Sequence, residues 1–217
     1  MSKIILYTSG TTKDPKEVVF SWEDIKSAAL RSIREIGLTK DDIVLDVYPA
    51  NTIAHYTVTA FPAHYAGATL ISTTFDPYTY IKLFKKYQPT YISLIPRHIE
   101  ILEKTKEWEQ LDMSCVRYMV MGTGRIDQQL IDRLKSKGIN LISNWYGMTE
   151  MPPPVFVGNN SESFDFTPKE GYTVSFSTEG ECIINGYHTG DIFDVETKKF
   201  IKRKAGEFGT GTWKTKP

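Results

Sequence analysis

Long apolar runs are missing from this chain, as are a charge excess, a cysteine pattern and any internal repeat. The apolar stretches are strand-sized, so no segment is expected to cross a bilayer. Lysine plus arginine equals aspartate plus glutamate at 26 each, which leaves no field to favour nucleic acid or an anionic membrane. The two cysteines, Cys115 and Cys182, have no metal-ligand spacing and read as reduced, half-buried residues of a cytoplasmic protein. The four histidines (His55, His64, His98 and His188) lack metal-ligand or nucleophile–base spacing. With a polar loop so close to Met1, no signal peptide is expected. No low-complexity linker divides the 217 residues, whose 41% apolar content suits one buried core, or one core plus a small lobe.

What is present is a strand–helix rhythm. Ser21 and Asp24 form a capping-box start, followed by Trp22, Ile25, Ala29, Ile33 and Ile36 on one helical face and a stop at Gly37. Residues 43–48, 68–72, 91–95, 116–121 and 139–143 read as strands. Residues 53–65, a segment opened by Asp76-Pro77 (Ile81 and Phe84 inward), another opened by Pro96, and 127–137 read as helices. The alternation predicts an α/β fold: a mostly parallel sheet flanked by helices over residues 1–151. After Pro152-Pro153-Pro154 come short strand-like pieces at 155–157, 172–176, 181–184, 191–195 and 199–202. They predict a smaller C-terminal β-rich lobe of antiparallel hairpins over residues 152–217.

Three short polar segments punctuate this rhythm. Tyr7-Thr8-Ser9-Gly10-Thr11-Thr12-Lys13-Asp14-Pro15-Lys16 leads from an apolar strand into hydroxyls, glycine and lysine. Exposed N–H groups, hydroxyl donors and a cation suit a polyphosphate, although such clusters are also ordinary turns. The spacing is not that of the Walker loop. Asn144-Trp145-Tyr146-Gly147-Met148-Thr149-Glu150 and Tyr187-His188-Thr189-Gly190-Asp191 follow. In this order the three segments resemble the phosphate loop (YTSGTTGxPKG), the YGxTE segment and the Y-x-TGD segment of the adenylate-forming superfamily. That superfamily contains acyl-CoA synthetases, luciferases and peptide-synthetase adenylation domains. Lys13 and Glu17 stand where the family usually has glycine.

The resemblance implies ATP-dependent activation of a small carboxylic acid to an acyl-adenylate, with release of pyrophosphate. ATP/AMP and Mg2+ are the implied cofactors, and coenzyme A is a candidate acyl acceptor. Thr8, Ser9, Gly10, Thr11, Thr12 and Lys16 would hold the phosphates. Gly122, Thr123 and Gly124 would form a shelf under the adenine, with Tyr146 covering it, Gly147 in the turn and Asn144 near the amino group. Thr149 would touch the α-phosphate, Glu150 would bind magnesium, and Asp191 would accept the ribose hydroxyls. Thr149, Glu150 and Lys16 are thus the implied catalytic residues. Thr52, His55 and Arg125 are the implied acyl-pocket residues, with Thr52 where the family often has histidine. Arg203 stands near the place of the family's hinge arginine. The resemblance further implies a truncated member, without the preceding segment and without the C-terminal domain that carries a catalytic lysine. Expected partners are therefore a small acid, and a second copy or a partner chain in place of that domain, with no nucleic acid and no membrane. A non-catalytic ATP/AMP-binding module is the alternative.

Overall fold

A computed structural model describes residues 3–8 and 16–204, with Thr8 and Lys16 described by backbone alone. The first strands, β1 (Lys3–Thr8) and β2 (Lys16–Ser21), pair antiparallel from Lys3↔Ser21 to Thr8↔Lys16. Their alternation places Ile4, Leu6, Val18 and Phe20 inward, against Ile25 of α1 (Trp22–Ile36). The hairpin stands outside the mostly parallel sheet expected over residues 1–151 and is a sheet of its own.

The helix start at α1 forms as its sequence predicts. Asp24 N–H donates to Ser21 Oγ at 3.1 Å, Ser21 N–H donates to Asp24 Oδ2 at 2.9 Å, and Gly37 ends the helix at φ 62°. The buried face runs through Ile25, Ala28, Ala29, Ser32 and Ile36. Trp22 lies outside it, 42% exposed and stacked on Phe61 at 5.5 Å.

Six strands make the main sheet: β3 (Ile43–Asp46), β4 (Thr69–Ser72), β5 (Tyr91–Leu94), β6 (Tyr118–Met121), β7 (Leu141–Tyr146) and β8 (Phe156–Asn159). The order is β4-β3-β5-β6-β7-β8, parallel except for β8. β5 and β6 are buried at every residue, as strands covered on both faces must be. On one face Val44, Tyr91, Tyr118 and Trp145 meet Ile36 of α1 and Ala63 of α2 (Phe61–Ala66). The opposite face packs on α3 (Pro77–Tyr87), α4 (Pro96–Leu102), α5 (Lys106–Glu109) and α6 (Gln128–Lys135) through Tyr80, Ile99, Trp108 and Ile131.

Three further expectations are corrected. The piece near 155–157 is not part of the lobe's hairpins but the antiparallel edge of the main sheet, hydrogen-bonded to β7. β7 runs on through Asn144, Trp145 and Tyr146, so the first half of that motif is strand rather than turn. The helix at 53–65 contains a π-helical turn, His55–Ala60, before α2.

The lobe is a third sheet in the order β12-β11-β10-β9, built from β9 (Val174–Phe176), β10 (Glu181–Ile184), β11 (Tyr187–Asp194) and β12 (Lys199–Arg203). It packs on the end of β7 and on β8 through an aromatic cluster in which Phe193 lies 5.1 Å from Tyr146 and 5.7 Å from Phe156. Offset and edge-on ring pairs of this kind add stability beyond the area they bury.

An ion pair ties the amino ends of the interior strands β3 and β6. Arg117 donates from Nε and Nη2 to the two oxygens of Asp42, at 2.7 and 2.6 Å, and from Nη1 and Nη2 to the carbonyls of Ile36 and Gly37. Burial alone pushes the Asp42 carboxyl up. Hydrogen bonds from Arg117, then Thr90 and the Thr39 N–H, overcome burial and hold it at about 2, below its ordinary 3.8. The stabilisation is therefore complete above about pH 4 and lost as pH falls toward 2. We expect Arg117→Ala to destabilise the fold by about 2 kcal/mol at neutral pH and to flatten this acid limb. Urea unfolding at several pH values would show both, and an unchanged acid limb would contradict the assignment.

Candidate functional site

Ligands of open α/β sheets lie beyond the carboxyl ends of the strands, and the second and third motifs meet at that end of β7. Alternation along β7 points Ser143 and Trp145 one way, joined by a Trp145 Nε1–H to Ser143 Oγ hydrogen bond of 2.9 Å. Tyr146 points into the lobe's aromatic cluster, its ring parallel to Phe156 at 4.6 Å. Its hydroxyl donates to Asp191 Oδ2 at 2.7 Å. Burial, then the charge of Asp191, push that hydroxyl well above its usual range, so it remains a donor.

Asp191 is 3% exposed, and Arg203 reaches both of its oxygens, Nε to Oδ1 and Nη2 to Oδ2, each at 2.7 Å. This two-pronged contact raises the Arg203 guanidinium further and keeps it charged. Asp191 and Arg203 are direct register partners on β11 and β12. The neighbouring residues explain the T-G-D pattern. Thr189 Oγ1 donates to the Cys182 carbonyl at 2.8 Å and accepts from the Asp191 N–H at 3.1 Å. Gly190 adopts φ 75°, and its N–H donates to Glu181 Oε1 at 3.1 Å. A hydroxyl and a glycine thus set the direction of the carboxylate that follows them.

Gly147 is required by space, because a Cβ there would sit 2.7–2.8 Å from Pro153. The turn beyond it is closed by Met148 N–H to Met151 O and Met151 N–H to Met148 O, at 3.0 and 3.1 Å. It holds Thr149 half-buried and Glu150 6% exposed. The Glu150 carboxylate lies near enough to Tyr187 and Arg203 to contribute to raising both. Gly122 passes close to the end of β7, where a Cβ would meet the Trp145 carbonyl at 3.1 Å, and Thr123 takes a left-handed φ of 55°. Gly124 approaches Pro96 in the same way, at 3.2 Å. Asn144 is buried in β7 between Met121 and Gly158.

Tyr146, Glu150 and Asp191 therefore gather around Arg203, with the turn from Gly122 to Gly124 beside the same strand end. Ser9, Gly10, Thr11 and Thr12 lie outside the described residues, and Thr8 and Lys16 close the β1–β2 hairpin as backbone. Thr52 and His55 sit beyond β3, where Thr52 Oγ1 accepts from the His55 N–H at 3.4 Å, and Arg125 is exposed. Two residues exceed what the motifs foretell. Arg203 is a direct partner of Asp191, a role visible only once β11 and β12 are in register. Asp46, with no exposed surface, bonds the His55 ring at 2.8 Å, and nothing in their nine-residue separation signals it. Among the described residues, no group of three or more His, Cys, Asp or Glu side chains is placed to hold a metal ion.

The fold and this strand-end cluster define an α/β protein with its candidate site at the seam between two sheets. The sequence matches the AMP-binding enzyme family over residues 3–186, and the chain belongs to that family. It is 30% identical over 191 residues to 4-coumarate–CoA ligase of Pinus taeda, covering 85% of this chain and 36% of that protein. It is 29% identical over 151 residues to indoleacetate–CoA ligase of Aromatoleum aromaticum, covering 69% and 29%. The chain thus spans about a third of the length of these curated relatives. The N-terminal domain of FACL13 from Mycobacterium tuberculosis has a similar fold, with a TM-score of 0.79 at 23% identity over 92% of this chain and 60% of that one. O-succinylbenzoate coenzyme A synthetase of Bacillus subtilis, solved with ATP and magnesium, gives 0.76 at 21% identity, over 92% and 49%.

Removing Arg203 leaves Asp191 buried with two bonds lost. Arg203→Met should lower stability by about 3 kcal/mol. Arg203→Lys should recover less than half of that, since an ammonium cannot make the paired contact. Chemical denaturation measures both, and a Met variant as stable as the parent would refute the arrangement.

Proposed function

We propose that this chain binds ATP with magnesium and activates a carboxylic acid as its acyl-adenylate. The observation that carries the reading is the 2.7 Å bond between Tyr146 and Asp191, which joins two nucleotide motifs 45 residues apart into one cluster. In this reading a carboxylate oxygen of the acid attacks the α-phosphorus of ATP, and the bond to pyrophosphate breaks. No covalent enzyme intermediate is needed, so positioning and charge neutralisation supply the catalysis.

The adenine lies against Tyr146, whose ring is held rigid by Phe156 and Phe193, and the turn from Gly122 to Gly124 forms a backbone shelf beside it. Asn144 lies nearest the base's amino group. Asp191 takes the ribose hydroxyls. Three hydrogen bonds already reach its two oxygens, so ribose binding exchanges or shares one of them. Thr149 meets the α-phosphate, and Ser9, Thr11, Thr12 and Lys16 meet the outer phosphates. A magnesium ion that bridges phosphates keeps several waters and needs few protein carboxylates; Glu150, at the strand-end turn, fits that single-carboxylate requirement and would hold the ion, which supplies charge neutralisation of the phosphates when bound. Relatives named as 4-coumarate–CoA and indoleacetate–CoA ligases support coenzyme A as the acyl acceptor.

The second reading is a nucleotide-binding module without turnover. Lys13 and Glu17 in the loop, where the family usually has glycine, favour it. The buried Glu150 next to Thr149 favours the enzyme, because a module that only binds nucleotide has little use for a magnesium carboxylate.

ATP–pyrophosphate exchange across a panel of carboxylic acids separates the two. Acid-dependent exchange is expected; saturable ATP binding with no exchange for any acid would establish the module instead. Glu150→Gln should fold normally and lose at least about tenfold in magnesium-dependent exchange, and full activity in this variant would remove Glu150 from the site.

A further inference from the structure

Outside the nucleotide cluster, one guanidinium joins the three segments that the motifs define. Arg31 lies on α1, which continues directly from β2 and so from the hairpin that carries the first motif. Its Nη2 donates to the Pro152 carbonyl at 3.3 Å and to the Tyr172 hydroxyl at 3.0 Å. The Tyr172 hydroxyl donates to the same carbonyl at 2.8 Å, which closes a triangle of hydrogen bonds. Pro152 closely follows the second motif, and Tyr172 leads into β9 of the lobe that carries the third. The guanidinium carbon also lies 4.6 Å from the centre of the Tyr172 ring.

Attachment of the lobe does not require this arginine. Lys169 pairs with Glu35 of α1 at 2.7 Å, Arg34 pairs with Glu170, and the Lys169 N–H donates to the Val155 carbonyl at 2.8 Å. These contacts already fasten residues 169–172 to α1 and to the main sheet. Arg31 itself is half-buried, and its buried Nε–H has no hydrogen-bond partner among the described residues. A desolvated cation with an unmet donor is a weak source of stability, so the position calls for another explanation.

What Arg31 supplies is a grip on Pro152, a buried residue whose carbonyl needs donors. Each proline of Pro152-Pro153-Pro154 fixes its own φ and restricts the residue before it, so the chain from Met151 to Pro154 is a stiff strut. Pro153 lies so close to Gly147 that a Cβ there would come within 2.7 Å. Met151 closes the turn on Met148 through bonds of 3.0 and 3.1 Å, with Thr149 and Glu150 between them. Movement of the Pro152 carbonyl is therefore carried into that turn. We propose that Arg31 is a positioning residue for the magnesium carboxylate. With Tyr172 it holds the Pro152 carbonyl, and through the proline strut it fixes where Thr149 and Glu150 stand relative to the segment that follows the first motif. The inference rests on the adenylation reading and adds to it a residue that belongs to none of the three motifs.

The test uses the full chain with Arg31→Met, which keeps the stem and removes the donors, Arg31→Lys, and Tyr172→Phe. Amide hydrogen exchange of the nucleotide-free proteins reads the turn directly. Arg31→Met should speed exchange at Met148 and Met151 by about tenfold while β5 and β6 keep their parental protection. In ATP–pyrophosphate exchange the magnesium concentration for half-maximal rate should rise by about tenfold. Adenosine affinity by calorimetry should stay unchanged, because adenosine uses neither the phosphate contacts nor the metal. Arg31→Lys should recover part of both effects, and Tyr172→Phe should move both in the same direction as Arg31→Met. If Arg31→Met fails to fold, Tyr172→Phe decides the matter by the same two measurements. A merely structural Arg31 would lower thermal stability and leave the magnesium requirement where it was. Parental turn exchange and a parental magnesium requirement, or adenosine affinity falling in step with the magnesium response, would each overturn the proposal. A parent chain that neither binds ATP nor exchanges pyrophosphate overturns the adenylation reading and the magnesium role of Arg31 with it, whereas amide exchange still decides whether Arg31 holds the turn.

Discussion

The Asp191 carboxylate is the point on which the seam between the two sheets depends. It receives two bonds from Arg203 on the neighbouring strand and one from Tyr146 at the end of the main sheet. A carboxylate this deeply buried is stable only when paired and hydrogen-bonded: losing Arg203 leaves an uncompensated charge, and losing Tyr146 leaves one acceptor short of a donor. The Tyr146–Asp191 hydrogen bond thus orients the lobe on the main sheet together with the aromatic cluster of Phe156, Phe164 and Phe193, while the Arg203 fork, inside the lobe, holds Asp191 in place. Apolar contact alone permits sliding, whereas a hydrogen bond to a carboxylate that a forked guanidinium keeps in place permits less.

Steric constraints complete the surroundings. Gly147 lies where any side chain would strike Pro153, and Gly122 lies where one would crowd the Trp145 carbonyl. Backbone therefore approaches the end of β7 closely from two directions. At the far side of the same edge, Asp46 anchors the π-helical turn to β3 and β4 through Thr59 and Ser72. The parallel strands between these points are wholly buried, and besides the tyrosines that begin them their one polar side chain is Ser93 of β5. That distribution concentrates chemistry along one edge of an otherwise apolar slab.

Features determined locally were legible in the sequence. The capping box of Ser21 and Asp24 and the glycine stop at Gly37 involve residues within a turn of each other. The caps Asp76 and Asp127 each accept an N–H three residues on, from Thr79 and Leu130. Family motifs marked Tyr146, Glu150 and Asp191 as belonging together, and the fold brings them around Arg203. Pairing between distant segments was not legible. A short apolar strand such as β8 carries no mark of whether it joins the main sheet or the lobe, and β1 none of whether it pairs with β2 or with β3. The bond of Asp191 to Arg203 depends on a hairpin register that itself shifts between Ile192 and Phe193. The contact of Asp46 with His55 depends on a helix opening into a π turn, for which no residue pattern exists. Trp22 was misassigned because a large apolar residue at a helix start can pack on a neighbouring ring and remain largely exposed.

The claim tested most directly is that the three motif segments enclose one nucleotide at the end of β7. A crystal structure of the chain with ATP and magnesium measures this. The account predicts the adenine against Tyr146 and the Gly122–Gly124 turn, the ribose hydroxyls at Asp191 and the metal at Glu150. A nucleotide bound elsewhere, with the Tyr146–Asp191–Arg203 cluster unaltered and empty beside it, would contradict the account.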